Sequence, residues 1–300
     1  MADGDTVRAG APNGVCAIVV THNRRKMLRE CLAALFAQLR PPDRILVVDN
    51  ASSDGTRDML EHEYGQVDVL PLPTNEGGAG GFHEGMKRAH ADGAEWMWLM
   101  DDDTIPAPDA LGELLAAPAR LEPLPAPAVL ASKVVWRDGR MHPMNRPGPE
   151  RRRLERVIDG ATRGLMPLRF ATFVSLLIHR DVVDRHGLPL KPYFMWSDDI
   201  EYTGRVLLTE RGYLVPGSVA LHDTETAHTA MSSPPDRFYF HVRNTLFIIR
   251  GPGRSPRDKL IFVWVLISSV VEYLGRHPDG ASLAAIARGV RDGLRRAPAP

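Results

Sequence analysis

The sequence predicts an α/β fold in which a mostly parallel sheet is flanked by helices and followed by a helical C-terminal extension. In residues 14–103, short apolar runs alternate with stretches whose apolar residues recur every three to four positions. This alternation is typical of βαβ units, which build parallel sheets. Polar clusters directly follow the apolar runs, where ligands bind in such sheets. From about residue 234 the periodicity is helical.

The first four strands and the helices between them can be placed from these runs. A buried strand is expected where apolar residues are continuous, and a helix where apolar residues share one face. Four leucines share such a face: Leu28, Leu32, Leu35 and Leu39. We predict strands over 15–20, 44–49 and 67–72 and a fourth that ends at Asp101, with helices over 25–39, from Thr56 and over 81–92.

The pattern is looser after Asp103. We predict a loop over 118–129 before the strand AVLASKVVW, a strand over 169–180, a helix from Ser197 to Arg211, and short strands over 213–215 and 218–221. The polar, basic stretch 137–165 is interpreted as a solvated loop. The alternative is a mobile flap that meets a phosphate-bearing ligand.

Composition excludes several classes of protein. The 37 basic residues balance 37 acidic ones, which argues against a nucleic-acid binder. Cys16 and Cys31 form no CxxC pattern, so neither a disulfide framework nor a zinc site is expected. We expect residues 1–13 to be disordered, 14–230 to form one domain and 231–300 to form the helical extension. Because residues 1–13 lack the apolar stretch of a signal peptide, we expect a cytoplasmic location.

One segment of the extension bears on membranes. Residues 260–274 are strongly apolar, with Arg257 and Lys259 before them and Arg276 after them. The run is shorter than the roughly 20 apolar residues that span a bilayer. Two interpretations stay open: a buried core or oligomer helix, or an interfacial helix with basic anchors at the headgroups.

Three consecutive carboxylates, Asp101, Asp102 and Asp103, end the fourth strand. Adjacent carboxylates repel one another and lose hydration when partly buried, so a cation is expected beside them. Mg²⁺ or Mn²⁺ could bind them and keep positions free for phosphate oxygens. The structural alternative, an N-cap cluster for the helix near Pro108, is less favoured because Thr104 and Asp109 could serve it.

Other polar groups follow the neighbouring strands. Asp49 could accept hydrogen bonds from a ribose or a base, or it could cap its own turn. The glycine-rich stretch 75–81 could bring backbone amides close to a phosphate, or it could be a flexible turn. His222 ends a later strand and could complete a metal site, where its nitrogen would favour manganese, although a lone histidine is more often structural.

A second acidic cluster, 197–201, follows the aromatic run 193–196. Acidic residues in the first turn of a helix ordinarily interact with the helix dipole, and this applies strongly to Asp198 and Glu201. The aromatic run makes a functional role attractive. It could form a wall for a sugar ring and raise the pKa of an adjacent carboxylate towards that of a useful base.

These motifs together resemble the inverting glycosyltransferases of family 2, which have the GT-A fold. Five of them occur in the family's order: VVTHNR, VVDNASSDGT, NEGGAGGF, WMWLMDDD and YFMWSDDIEYTGR. The GGAGGF and WSDDIEY forms are most similar to bacterial galactofuranosyltransferases and rhamnosyltransferases of cell-wall and surface-polysaccharide synthesis. The segment YFHVRN, residues 239–244, resembles the region that follows the catalytic domain in those enzymes.

The resemblance implies a role for each matching residue. Those on the donor side would be Thr21, Asn23 and Arg24 lining the nucleotide pocket, Asp49 at the base or ribose, Asn75 and Gly77 under the nucleotide-sugar, and Asp102 near the ribose or sugar. The metal ligands would be Asp101, Asp103 and His222, with His228 an alternative histidine. On the acceptor side would be the general base Asp199, with Asp198 and Trp196 shaping the site.

The resemblance also implies the reaction. A metal-dependent enzyme would move galactofuranose or rhamnose from a nucleotide-diphosphate sugar to a glycan or polyprenyl-linked glycan acceptor. Separately, the apolar segment 260–274 and its basic neighbours suggest peripheral contact at the cytoplasmic face of the membrane. Two rival functions remain. One is a catalytically silent nucleotide-sugar binder or scaffold. The other is a sugar-phosphate nucleotidyltransferase, which would need a glycine-rich basic loop after the first strand, where Thr21 to Arg24 stand instead.

Overall fold

The computed structural model describes residues 14–225, 230–252 and 254–295. The predicted disordered N-terminus, 1–13, and His228 lie outside the described residues. The strands are β1 Val15–Thr21, β2 Arg44–Asp49, β3 Asp68–Pro71, β4 Trp96–Asp101, β5 Thr104–Pro106, β6 Val129–Val135, β7 Gly148–Pro149, β8 Met166–Phe170, β9 Leu176–His179 and β10 Gly212–His222. The α-helices are α1 Arg25–Phe36, α2 Thr56–Glu63, α3 Gly77–Ala91, α4 Ala110–Leu121, α5 Leu154–Thr162, α6 Asp181–His186, α7 Asp198–Val206, α8 Pro235–Arg250, α9 Pro256–Arg276 and α10 Gly280–Arg295.

The strands form one mixed sheet in the order β3-β2-β1-β4-β9-β6-β10-β8-β7, with β5 paired to β10. The first four positions are parallel, which confirms the predicted α/β class. β9 runs antiparallel between β4 and β6, and β10 is parallel to β6, so β10 points the same way as β4. Thr21, Asp101 and His222 therefore reach the same edge of the sheet.

Helices cover both faces of the sheet. Leu28, Leu32 and Leu35 of α1 are fully buried on one face, as the leucine spacing predicted. Leu39 is 81% exposed because α1 ends at Phe36. On the other face α3 and α7 contribute buried residues to one apolar cluster.

Several predicted boundaries in the second half were wrong. The predicted loop 137–165 contains β7 and α5, and α4 extends into the predicted loop 118–129. The predicted strand 169–180 is two strands separated by residues 171–175, of which Ser175 has a φ of +53°. The predicted helix 197–211 ends at Val206, and the two strands predicted after it are the single, irregular β10.

The C-terminal region is helical, as predicted. The apolar segment 260–274 lies within α9, and the buried residues of this helix are Ser269 and Tyr273. Large apolar side chains of α9 are exposed instead, including Leu260, Trp264 and Val271. This excludes the buried-core interpretation of the segment. Within the described ranges, every helix falls short of the length and apolar character needed to cross a membrane.

Candidate active site at the strand-end edge

Two loops at the ends of β1 and β2 are joined by hydrogen bonds. The amide of Asn23 donates to Ser52 Oγ at 3.0 Å, and the Ser53 amide donates to Asn23 Oδ1 at 2.7 Å. Asn23 has a φ of +56°, a conformation that asparagine tolerates better than most residues. Asp49 Oδ1 accepts the Ser52 amide at 3.0 Å, so Asp49 fills the turn-capping role. Its role towards a nucleotide stays a prediction.

Asn50 fixes the glycine-rich loop, a role that the sequence did not reveal. Asn50 is 2% exposed, its Nδ2 donates to the Gly77 carbonyl at 2.9 Å, and its Oδ1 accepts the Glu76 amide at 2.8 Å. Asn75 Oδ1 accepts the Gly77 amide at 2.8 Å within the same turn. These contacts hold the start of α3, where anions are favoured. The helix predicted over 81–92 begins earlier, at Gly77, so most of the predicted glycine-rich turn 75–81 is helical.

The three carboxylates after β4 occupy different environments. Asp102 is buried, and burial raises its pKa to about 7 although Arg24 and the Thr21 hydroxyl at 2.8 Å favour the charged form. Burial and the charge of Asp103 raise the pKa of Asp101 to about 6. Burial alone would raise the pKa of Asp103 as well, but His222 and Arg24 outweigh it and lower that pKa.

Asp103 is shared between two cationic or potentially cationic groups. Arg24 donates to Asp103 Oδ2 at 2.6 Å and lies 3.4 Å from Asp102 Oδ1. His222 Nε2 lies 3.1 Å from Asp103 Oδ1, yet no donor in the described chain is directed at that buried oxygen with hydrogen-bond geometry. Asp103 Oδ1 therefore has His222 as an ion-pair partner when the imidazole is protonated, and a neutral imidazole would leave this oxygen free for another cation.

Asp103 and His222 fit two positions of a divalent metal site. Neighbouring ligands of an octahedral ion with bonds of about 2.1 Å lie about 3 Å apart, which matches the 3.1 Å between Asp103 Oδ1 and His222 Nε2. His222 Nδ1 lies 2.7 Å from Asn145 Oδ1, a contact that fixes the imidazole and directs Nε2 towards Asp103. Within the described ranges no three acidic, histidine or cysteine side chains form a metal-binding group, so Asp101 does not join Asp103 and His222 in one cluster.

Asn145 was missed by sequence reasoning. It is buried in a short 3-10 turn, Pro143–Asn145, inside the stretch that we predicted to be a solvated loop. Its amide nitrogen donates to Thr172 Oγ1 at 3.0 Å, which orients Oδ1 towards His222. An asparagine in a polar stretch carries no pattern that would have identified it.

The second acidic cluster lies at the start of α7. Asp198 is 6% exposed, whereas Asp199 is partly exposed and its Oδ1 accepts the Ile200 amide at 2.6 Å. Burial raises the pKa of Asp199 to about 7, and Asp101 adds to that shift. Burial and the charges of Asp199 and Asp101 raise the pKa of Asp198 well above its usual range. Both clusters therefore belong to one electrostatic site.

The segment before α7 touches the glycine-rich loop. The Ala79 amide donates to the Phe194 carbonyl at 3.2 Å, and a Cβ added at Gly77 would fall 1.9 Å from that carbonyl oxygen. Gly77 has a φ of +71°, so both its conformation and this close approach require glycine. Trp196 is half-buried in this segment. The structure thus brings together the predicted donor loop and the predicted base segment.

Comparison with known proteins shows that this chain is similar to glycosyltransferases. Residues 16–185 match the family model for "Glycosyl transferase family 2". The chain is 31% identical over 274 residues to galactofuranosyltransferase GlfT1 of Mycolicibacterium smegmatis, covering 85% of this chain and 90% of the relative. It is 23% identical over 270 residues to N-acetylglucosaminyl-diphospho-decaprenol L-rhamnosyltransferase of Mycobacterium tuberculosis, covering 77% and 82%.

A solved structure supports the fold. S. aureus TarS 1-349 in complex with UDP-GlcNAc superposes with a TM-score of 0.61 at 16% identity, covering 95% of this chain and 81% of TarS. At that identity the likeness concerns the fold, which is that of a GT-A glycosyltransferase.

Proposed function

Because this chain belongs to glycosyltransferase family 2, we propose that it is an inverting transferase that moves galactofuranose or rhamnose from a nucleotide-diphosphate donor to a glycan or lipid-linked glycan acceptor. One observation supports this proposal above all. The glycine-rich loop held by Asn50, the carboxylates after β4 and Asp199 lie together at one edge of the sheet. The two kinds of relatives support the choice of sugar.

On the donor side, the rigid backbone and the acidic side chains would have different roles. The loop over Asn75 and Gly77 would receive the donor, and Thr21, Asn23, Arg24 and Asp49 would line the nucleotide pocket. Asp102, held by Thr21 at 2.8 Å, would face the ribose or sugar. Asp101, Asp103 and His222 would hold Mn²⁺ or Mg²⁺, which when bound would neutralise the diphosphate leaving group.

On the acceptor side, Asp199 would remove the proton of the attacking hydroxyl. Its pKa of about 7 suits a general base near neutrality, and its partial exposure gives an acceptor access that Asp198 lacks. Trp196 would form a wall of the acceptor site. The acceptor oxygen would attack the anomeric carbon as the bond to the diphosphate breaks, so a single displacement inverts the anomeric centre and no covalent enzyme intermediate is needed.

We further propose that α9 meets the cytoplasmic face of an anionic membrane. Leu260, Trp264, Ile267 and Val271 recur at helical spacing and are 59% to 69% exposed. Ser269 and Tyr273 of α9 face the protein instead: Ser269 Oγ lies 2.9 Å from His241 Nε2 and Tyr273 donates to the Ser233 carbonyl. Basic Arg257, Lys259 and Arg276 flank this apolar stripe, which complements anionic headgroups. A lipid-linked acceptor would be presented at that surface.

A ligand screen followed by an activity assay tests the proposed function. Nucleoside diphosphates and nucleotide-sugars are compared for their effect on melting temperature with and without Mn²⁺, and the stabilising donor is then assayed for hydrolysis and transfer. We expect stabilisation that increases with Mn²⁺, followed by release of the nucleotide. Tight nucleotide binding without hydrolysis or transfer would favour the silent binder. No stabilisation by any nucleotide would contradict the donor site itself.

A further inference from the structure

The segment Tyr193–Ser197, which leads into the acidic start of α7, has a strained backbone. Three of the six non-glycine residues with positive φ in the described chain lie here: Phe194 at +64°, Trp196 at +63° and Ser197 at +66°. Phe194 has a ψ of −63°, and the Met195 amide donates to the Tyr193 carbonyl at 2.7 Å, which makes a γ-turn of the rare, strained form. Such a backbone persists only where its surroundings hold it.

Asn244 of α8 holds this segment from one side. Asn244 is fully buried, and its Nδ2 lies 2.9, 2.8 and 2.9 Å from the carbonyl oxygens of Tyr193, Met195 and Trp196. Its Oδ1 accepts from Arg243 Nε at 3.0 Å, which fixes the side of the amide that faces the segment. A single side chain therefore contacts three carbonyl groups that would not lie together in a helix or a strand.

Arg243 adds a second set of contacts. Its guanidinium donates to the carbonyls of Pro192 and Tyr193 at 2.7 and 2.8 Å. The same group lies 4.8 Å from the centre of the Phe240 ring, and Phe240 stacks on Phe194 at 5.2 Å. Helix α8 thus holds both the backbone and a side chain of the strained segment.

We propose that Arg243 and Asn244 are positioning residues of the transfer reaction, which hold the segment 193–197 against the glycine loop and so fix the place of Asp199. This inference rests on the proposed function. Phe194 links the two sides of the site, because its ring stacks on Phe240 of α8 and its carbonyl accepts the Ala79 amide beside Gly77. Because Asp198 directly follows Ser197, relaxation of the strained φ angles would turn the start of α7 and displace the base.

We expect the contacts of α8 to affect catalysis more than donor binding. Asn50, rather than α8, holds the Gly77 carbonyl, so the donor loop keeps its support when α8 loses its contacts. A displacement of about 1 Å at a reacting group can cost on the order of a hundredfold in rate. Loss of Arg243 or Asn244 should therefore reduce kcat far more than nucleotide affinity.

The test compares Arg243→Ala and Asn244→Ala with Arg250→Ala in the full chain. Arg250 lies on the same helix and also donates to a carbonyl, that of Gly293 at 2.7 Å, but it does not contact the segment. We expect kcat to fall about ten- to a hundredfold in the first two variants, with UDP affinity by calorimetry almost unchanged. Arg250→Ala should keep the wild-type kcat.

Hydrogen exchange of the peptide 193–200 supplies a readout that does not depend on activity. We expect faster exchange in Arg243→Ala than in the wild type and in Arg250→Ala. Unchanged exchange in Arg243→Ala would overturn the proposal, and so would faster exchange in that variant with a wild-type kcat. A parallel loss of kcat, UDP affinity and melting temperature would also overturn it. If Asn244→Ala does not fold, the test rests on Arg243→Ala, because Arg243 is partly exposed. An inactive wild-type protein would instead count against the proposed function.

Discussion

Burial controls the protonation of the acidic residues at this site. The pKa is raised to about 6 for Asp101 and to about 7 for Asp102 and Asp199, in each case chiefly by burial. Each carboxyl group therefore carries a proton over part of the neutral range unless a cation stabilises its charge. A site with this property is suited both to holding a cation and to accepting a proton.

The role of Asp199 predicts both a mutant phenotype and a pH dependence. Asp199→Asn should abolish transfer, because the amide cannot accept the acceptor proton, while UDP affinity measured by calorimetry stays near the wild-type value. Since the pKa of Asp199 is raised to about 7, the base is charged above that pH and protonated below it. We therefore expect kcat to rise with pH through about 7 and then to level off.

Asp181→Asn is the matched control for this prediction. Asp181 also stands in the first turn of a helix, α6, but lies on the surface. Asp181→Asn should leave kcat and its pH dependence unchanged. Turnover by Asp199→Asn at a rate close to that of the wild type would show that another group is the base.

Asn145 should matter to metal affinity through His222. Because its Oδ1 holds His222 Nδ1 at 2.7 Å, Asn145→Ala should weaken Mn²⁺ binding about ten- to a hundredfold in calorimetric titrations with UDP present. Gln38→Ala is the control, since Gln38 is an equally buried amide that bonds the Ala107 carbonyl away from the site. Equal losses of Mn²⁺ affinity in the two variants would mean that the effect is one of stability alone.

The sequence pointed to the charged residues of the candidate site more readily than to the neutral residues that contact them. Asp101, Asp103 and Asp199 stood out because like charges at a strand end or after an aromatic run need a physical reason. Asn50, Asn145 and Asn244 did not stand out, because a neutral amide gives no charge pattern. Their roles depend on carbonyls and rings that are distant in the chain, and these become neighbours only in the folded protein.

Among the helices and strands, those with a continuous apolar sequence were predicted most accurately. Strands β1, β2 and β4 are continuous apolar runs that are buried on both faces, and their predicted ends agree with the structure within a residue. Helix α5 was missed because its apolar Leu154 and Ile158 are exposed in a polar stretch. The break between β8 and β9 was missed because the positive φ of Ser175 leaves no trace in an apolar run.

The contact between the glycine loop and the base segment makes a prediction about two adjacent glycines. Gly77→Ala should lower UDP affinity and kcat together, because the new Cβ would fall 1.9 Å from the Phe194 carbonyl at a residue whose φ is +71°. Gly78→Ala is the matched control, since a Cβ there meets no atom of the described chain within 4 Å. Steady-state kinetics and calorimetry on both variants check this, and full activity of Gly77→Ala would contradict the close approach.

On the scale of the whole molecule, the C-terminal helices face in two directions. Helix α8 packs against the base segment, and small residues of α10 allow close packing, since a Cβ at Gly289 would lie 2.9 Å from Val242 Cβ. Helix α9 places Ser269 and Tyr273 inwards and a stripe of large apolar residues outwards. Because an exposed apolar surface of this kind usually marks an interaction site, we expect the extension to support the proposed base segment on one side and to offer an interaction surface on the other.

The membrane proposal for α9 predicts the behaviour of one exposed tryptophan. Trp264 is 69% exposed, and burying a large apolar side chain contributes roughly 1.5–3 kcal/mol, so Trp264→Ser should weaken binding to anionic vesicles about tenfold or more in co-sedimentation. Leu39→Ser is the control, because Leu39 is 81% exposed but lies at the end of α1, away from this stripe. Wild-type vesicle binding by Trp264→Ser would refute the membrane role. If the wild-type protein instead forms oligomers in solution that Trp264→Ser dissociates, the stripe is covered by a second copy of the chain.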